Sequence, residues 1–273
     1  MTLTDAVLER CKIGSTLNRF SKTSDNNAMN PSRILRRFQS LVYLLRLGYR
    51  GRYHAQIFYG GQRVNDRLVL VTTAEELRDI LGPVSERAKT KTRSTLHKID
   101  RQWLAASPFC LMATSAANGS CDVSPKGDPA GFTVVLDETT IVVPERLGNR
   151  RADSFHNILE NGHVGLIYLV PGRGDTLRIN GRAQLVRDAP FFDQLIVHGH
   201  RPSLALLVNI DEVFFHCSKS FLRSALWEPK TWSPTGIPSR PCISKELENT
   251  EASLEELEVY YGDQYRKGLY GES

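Results

Sequence analysis

Thr176-Leu177-Arg178-Ile179-Asn180-Gly181-Arg182-Ala183-Gln184-Leu185 alternates without a break, its odd positions apolar or small and its even positions polar or basic. A period of two sustained over that length describes a strand with one face in a core and the other outside it. Solvent exposure explains the even face by itself, so Arg178 and Arg182 need further support before either is read as a ligand contact. On both sides lie further β-type segments: Phe109–Thr114, Asp122–Ser124, Phe132–Leu136, Thr140–Val143, Val164–Val170, the full run Thr176–Val186 and Leu204–Cys217. Asn118-Gly119, Gly127-Asp128-Pro129 and Pro171-Gly172-Arg173-Gly174 supply the turn chemistry between them.

Only two helical stretches, Asn149–Glu160 and Asp188–His198, interrupt these strands. That density of strands predicts an antiparallel barrel and argues against a parallel βαβ sheet. No Gly-x-Gly-x-x-Gly follows a strand, which removes the dinucleotide-binding fingerprint of the doubly wound folds. Two helices precede the strands. Thr73-Ala74-Glu75-Glu76 is a capping-box pattern opening a short helix that Gly82-Pro83 stops. The second is expected from Ser85 to about Ala106, with Leu96, Ile99, Trp103 and Leu104 at three- and four-residue spacing as one buried stripe.

The 273 residues, 41% of them hydrophobic, suffice for at least one substantial core. The net charge of +5 is unevenly held. Residues 1–68 carry 12 Lys/Arg against 4 Asp/Glu, and the remainder sums to −3. Nucleic-acid binding is therefore not expected of the folded domain, only of the basic arm if anywhere. The chain is expected to consist of this extension (1–68), a strand-rich domain (69–230) and a C-terminal tail with a short helix (231–273). The extension has a basic amphipathic patch at 34–49 and an internal Met29; an organelle-targeting peptide, a disordered arm and an over-long start all share its composition. Five widely spaced cysteines (Cys11, Cys110, Cys121, Cys217, Cys242), odd in number and without Cys-x-x-Cys, suggest reduced thiols in a cytoplasmic protein. No apolar run approaches the length of a membrane span.

The most informative chemical feature is Gly148-Asn149-Arg150-Arg151. It follows the apolar strand Thr140–Val143 and opens the helix whose apolar face is Ala152, Phe155, Ile158 and Leu159. With Asn149 as N-cap, two arginines stand in the first turn, where the helix end is already positive. That placement calls for an anion, and phosphate is the obvious one. Ser124-Pro125-Lys126-Gly127-Asp128-Pro129 adds a hydroxyl and a cation at a strand end. Lys219 and Arg223 stand four apart ahead of Trp227, as either an ordinary amphipathic helix end or a basic wall with an aromatic lid. The histidines have no metal-site spacing, and there is no Gly-x-Ser-x-Gly elbow. Cations, hydroxyls and backbone amides suit the holding of an organic anion whose own atoms do the chemistry.

The order of these motifs resembles the pyridoxamine 5′-phosphate oxidase-like, FMN-binding split-barrel superfamily. Residues 71–230 resemble its subgroup of probable FMN-dependent proteins, through Ser107-Pro108-Phe109, the Ser124–Pro129 stretch, Gly148–Arg151, Pro171-Gly172 and His216-Cys217-Ser218-Lys219 with Arg223-Ser224-x-x-Trp227. The resemblance implies a mainly β fold with flanking helices, a six-stranded antiparallel Greek-key split barrel, forming a homodimer with FMN at the subunit interface. It assigns the phosphate clamp to Asn149, Arg150, Arg151 and Lys126, and the flavin ring edge to Val123 and Ser124. Thr176 and Arg178 fall among the cofactor contacts, and Arg223, Ser224 and Trp227 approach the neighbouring subunit's cofactor. Three departures matter. Cys121 and Thr176 replace an arginine and a glutamine of the oxidase proper, and no histidine follows His216 to complete its substrate-binding Arg-x-His. The implied activity is an FMN-dependent oxidoreductase of unassigned small-molecule substrate and electron donor. A non-catalytic flavin- or haem-binding barrel and a deazaflavin-dependent reductase stay open as alternatives.

Overall fold

The computed structural model describes residues 69–270 and two short paired strands, β1 (Phe58–Tyr59) and β2 (Gln62–Arg63). The basic patch at 34–49 and Met29 lie outside the described residues. The described residues divide into two units, one ending at Ser85 and the other beginning at Glu86. In the smaller unit, Thr73 opens helix α1 (Ala74–Leu81), its hydroxyl accepting from the Glu76 N–H at 3.1 Å. The Glu76 carboxylate reaches back to the Thr72 N–H at 3.0 Å, and Gly82 ends the helix at φ +74°. Glycine adopts that left-handed φ without the clash a Cβ would bring.

The larger unit begins with a departure from expectation. The single helix expected over Ser85–Ala106 is two, α2 (Glu86–Lys89) and α3 (Lys98–Ala106). Between them Arg93 pairs with Val213 in an extended bridge, each N–H donating to the other's carbonyl at 3.1 and 2.7 Å. Sheet pairing outcompetes helix here because Thr90 and Thr92 restrict χ1 and favour extended backbone. His97 then restarts the helix: its ring accepts from the Ile99 N–H, and Asp100 accepts from the His97 N–H at 2.7 Å. Leu96, Trp103 and Leu104 are buried as the stripe predicted, but Ile99 is exposed. Asp100 is fully buried and takes a two-pronged ion pair from Arg93, with Nη2 to Oδ1 at 2.9 Å.

All seven expected strand segments form: β3 (Phe109–Ser115), β4 (Cys121–Gly127), β5 (Val134–Val135), β6 (Thr140–Pro144), β7 (His163–Leu169), β8 (Thr176–Val186) and β9 (Ala205–His216). They make one antiparallel sheet in the order β4-β3-β7-β8-β9-β6-β5. The fold is mainly β with flanking helices, as a split barrel requires, but its sheet has seven strands and not six. The seventh, β5, is two residues long and pairs only with β6. The alternation of β8 is realised, with Leu177, Ile179 and Ala183 buried and Arg182 and Gln184 exposed. The core joins them to Met112, Ile141, Leu166, Tyr168, Val208 and Val213.

β8 and β9 are the longest strands, and their register slips once, between Asn180 and Gly181. A Cβ on Gly181 would come within 2.1 Å of the Asn209 carbonyl oxygen. Only glycine allows the two backbones this close approach, and the bulge adds local twist that helps curl the sheet. Beyond it Arg182 lies 3.8 Å from Asp211.

The helix expected over Asp188–His198 is a single 3-10 segment, Pro190–Leu195. Its Phe192 and Leu195 bury against Val142 and Ala205 as a second, smaller cluster. Val197 and His200 then pair in a tight turn that precludes further helix. Cys110, Cys121 and Cys217 are free thiols, but Cys242 is in a disulfide. Spacing along the chain carries no information about which sulfurs approach in space. No helix among the described residues is long and apolar enough to cross a membrane.

Gly181→Ala should cost about 2–3 kcal/mol in urea denaturation, because one of two paired backbones must move. Arg93→Ala should cost a similar about 2–3 kcal/mol, below the 3–5 of a wholly buried pair because Arg93 is partly exposed. For either substitution, a loss under about 0.5 kcal/mol, the level of an ordinary surface change, would show that the fold does not depend on that residue.

Candidate functional site

Among the described residues β4 is an edge strand, hydrogen-bonded to β3 on one side and to no other strand. Pro125 within it is tolerated for that reason, since an edge strand has one row of backbone groups outside the ladder. Register places Lys126 opposite Cys110 and Ser124 opposite Met112, so both point to the core-facing side of the sheet. Val123 points the other way and is exposed.

Helix α4 (Asp153–Glu160) lies over this side of β4. Its Ser154 hydroxyl is 2.8 Å from that of Ser124. Asn157 donates to Thr114 Oγ1 at 3.0 Å and Asp122 Oδ2 at 2.8 Å, and Phe155 lies under the Lys126 ammonium, 4.7 Å from the ring centre. These contacts fix the helix, and with it the chain segment leading into it, above the end of β4.

That segment differs from expectation. The helix starts at Asp153 and not at Asn149, so Arg150 and Arg151 precede its first turn, which carries the acid Asp153. Asn149 is not the N-cap. Its side-chain oxygen accepts from the Arg151 N–H at 3.1 Å, closing a local turn. The capping position falls to Ala152, whose carbonyl accepts from Phe155 and His156. Arg150 (φ +60°) and Ala152 (φ +57°) are both left-handed. Two non-glycine residues in that region store strain of about 1–3 kcal/mol each. A sequence reading misses this because it assumes that the favoured N-cap side chain sets the start, and Asn is just as competent to close a turn.

A cleft of about 430 Å³ results, and Val123, Ser124, Lys126, Asn149 and Arg151 all line it. Arg150 lines the adjoining cavity of about 550 Å³ across the same turn. The Lys126 ammonium pairs with Glu145, largely out of solvent, and Arg151 Nε pairs with Asp153 at 2.8 Å in the open. Among the described residues Arg150 has no hydrogen-bond or ion-pair partner. Arg146 is structural: it bonds Asp128 at 2.5 Å and the Leu195 carbonyl at 2.7 Å. Glu145, Ser154 and Asp128 were not singled out from the sequence. The charged pair Glu145-Arg146 directly after an apolar strand was the available signal for the first.

The remaining expected site residues do not line this cleft. Thr176 is buried at the start of β8, opposite His216. Arg178 donates to Asn180 Oδ1 at 3.0 Å and stacks over Phe214. Arg223 and Ser224 are exposed on helix α5 (Lys219–Ser224), and the Trp227 indole donates to the Arg173 carbonyl at 2.8 Å. β8 is separated from β4 by two strands, so this second group sits apart from the first.

Burial pushes the Cys110 thiol up to about 12, with Lys126 pulling weakly the other way. Cys217 moves down, chiefly because the Lys219 backbone N–H stabilises its thiolate. His216 also moves down, through burial first and then the neighbouring Lys91 and Arg178. Among the described residues no cluster of His, Cys, Asp and Glu could hold a metal ion.

Residues 96–217 match the family model described as Pyridoxamine 5′-phosphate oxidase. No curated protein matches the chain. Among solved structures, a pyridoxamine 5′-phosphate oxidase-type protein of Lactobacillus delbrueckii is similar at 22% identity and TM-score 0.37, over 46% of this chain and 99% of that one. General Stress Protein 26 of Bacillus anthracis is similar at 12% identity and TM-score 0.33, over 42% and 88%. A FAD-binding protein of Mesorhizobium loti is similar at 16% identity and TM-score 0.31, over 45% and 96%.

Alkylation of the native protein at pH 8, read by peptide mass, should label Cys217 fastest and leave Cys110 untouched until denaturant is added, because only the thiolate reacts. Labelling of Cys110 at the rate of Cys121 would show that the core over β4 is open.

Proposed function

We propose, from the match of residues 96–217 to the family model described as Pyridoxamine 5′-phosphate oxidase, a flavin-related family, that the protein is an FMN-dependent oxidoreductase acting on a small molecule. The observation that carries the reading is the single cleft lined by Ser124, Lys126, Asn149 and Arg151, with Arg150 immediately beside it. Its donor set fits a phosphate dianion: two guanidinium groups, an ammonium, a hydroxyl and an amide, on a strained turn that projects backbone toward the space.

The carboxylates do not oppose this fit. The Arg151–Asp153 pair is exposed, and such pairs contribute little and exchange readily. Asp153 and Glu145 then act as stand-in partners that keep the cations from repelling one another before an anion arrives. In the bound state Arg150 and Arg151 hold the phosphate, and Lys126 keeps Glu145 as its second partner while turning toward it. The unladdered edge of β4 at Val123–Ser124 offers backbone donors and acceptors to the rim of a planar heterocycle, and the Ser124 and Ser154 hydroxyls can exchange donor and acceptor roles by rotating, freeing either one to bond the ligand. The flavin, when bound, supplies hydride acceptance and donation. Thr176, Arg178, Arg223, Ser224 and Trp227 lie away from the cleft of their own chain. In a homodimer the exposed Arg223 and Ser224 are free to reach the site of the neighbouring subunit.

Protein purified from cells should carry a yellow chromophore whose absorption spectrum and mass identify a flavin; a haem or deazaflavin spectrum would select one of the alternatives. Replacing Arg150 and Arg151 together by Ala should weaken FMN binding roughly 100-fold in a fluorescence titration, about tenfold for each charge-assisted contact. Unchanged affinity would place the phosphate elsewhere.

A further inference from the structure

The turn at Leu147-Gly148-Asn149 lines not one space but three: the clamp cleft, the cavity holding Arg150, and a chamber of about 980 Å³ on its far side. The far wall of that chamber comes from the C-terminal segment, which lies beyond the family match. It is built by helices α6 (Arg240–Leu247), α7 (Leu254–Tyr260) and α8 (Asp263–Lys267). Four large side chains that a folded chain would ordinarily bury, Leu147, Tyr260, Tyr265 and Leu269, are each more than half exposed, and all four line this one chamber. An exposed apolar cluster gathered in a concavity marks a binding surface.

Its chemistry is specific. Tyr260 and Tyr265 meet edge to face with ring centres 5.8 Å apart, both also touching the Tyr261 ring, and each side chain is about half exposed. Arg240 is committed to Glu248 and to Tyr261, its guanidinium 5.1 Å from the latter ring. Lys267, exposed at the rim, has no hydrogen-bond or ion-pair partner among the described residues, and Arg150 on the other side of the turn has none either. Two uncommitted cations therefore flank an aromatic chamber that begins where the phosphate clamp ends. Planar bases stack on such rings, and the cations suit the phosphate that joins a base-bearing half to the clamp.

From this arrangement we infer that the chamber is an adenylate subsite, taking the adenosine-phosphate half of a dinucleotide. It rests on the flavin reading for the clamp, and the adenylate has two chemical sources. In the first it is covalently continuous with the clamped phosphate, which makes the ligand FAD in place of FMN. In the second it belongs to a nicotinamide dinucleotide bound beside the flavin as electron donor. Lys267 and the Tyr260–Tyr265 pair are then the residues that distinguish a dinucleotide from a mononucleotide. Stacking on the tyrosines and neutralisation by Lys267 add to what the clamp alone supplies.

The test is equilibrium titration of the full-length protein with FMN, FAD and AMP, and of the flavin-loaded protein with NADH and NADPH, in wild type, Lys267→Ala and Tyr265→Ala. FAD binding at least tenfold tighter than FMN, with the difference lost in both variants and FMN affinity unchanged, supports the subsite with FAD as source. Equal flavin affinities with AMP-competitive binding of NADH or NADPH, lost in the same variants, support it with the nicotinamide donor as source. Lys267→Ala removes an exposed side chain without touching the packing, so its result holds even if Tyr265→Ala loosens the C-terminal helices. Equal binding of FAD and FMN with no binding of AMP, NADH or NADPH overturns the subsite and leaves the flavin reading standing. AMP binding without flavin binding does the reverse. A chamber covered by a second copy of the chain would show as loss of the dimer in Tyr265→Ala with no adenylate binding, which also overturns the proposal.

Discussion

Gly181 has no room for a side chain, because the Asn209 carbonyl occupies the place where a Cβ would go. That close approach allows the two longest strands to stay paired across a bulge. β8 and β9 together connect the part of the sheet that ends in β4 to the part that ends in β5. Without the local twist at this point the two halves would lie flatter, and the buried faces of Leu177, Ile179 and Val213 would no longer close on Met112, Leu166 and Ile141. The core and the candidate site both depend on that closure, since α4 can dock over β4 only when the sheet presents its edge to the helix.

Docking of α4 translates fold into chemistry. Ser154, Phe155 and Asn157 occupy one face of a short helix and meet Ser124, Lys126 and Asp122 on alternate positions of an edge strand. Helical and strand periodicities thus interlock, and the turn before the helix is carried to the strand end with its cations exposed. The left-handed backbone at Arg150 and Ala152 is tolerated because both flanks of the turn are held, by β6 on one side and by α4 on the other. Compensation by Glu145 and Asp153 keeps this cationic turn stable in isolation while leaving the more exposed pair exchangeable.

Much of this was legible in the residues. The alternation of Thr176–Leu185, the seven strand segments and the turn residues between them identify an antiparallel sheet. Helix boundaries were less legible. Asn149 reads equally as a helix cap or as a turn closer, and the choice was made by where α4 packs. Likewise Thr90 and Thr92 lean toward extended backbone too weakly to exclude helix by themselves, and pairing of Arg93 with Val213 decides the matter. The two-residue β5 exists only because β6 offers it a partner.

Composition, periodicity and turn chemistry, all local properties of the chain, determined that this protein is a strand-rich barrel with a cationic Gly-Asn-Arg-Arg turn. Only the tertiary structure decided that Arg150 and Arg151 precede the helix and that Glu145 faces Lys126. It also placed tyrosines more than a hundred residues away in the chain as the far wall of a chamber behind Gly148. Those relations depend on which distant backbones come together, and side-chain pairing across such separations leaves no periodic trace in a sequence.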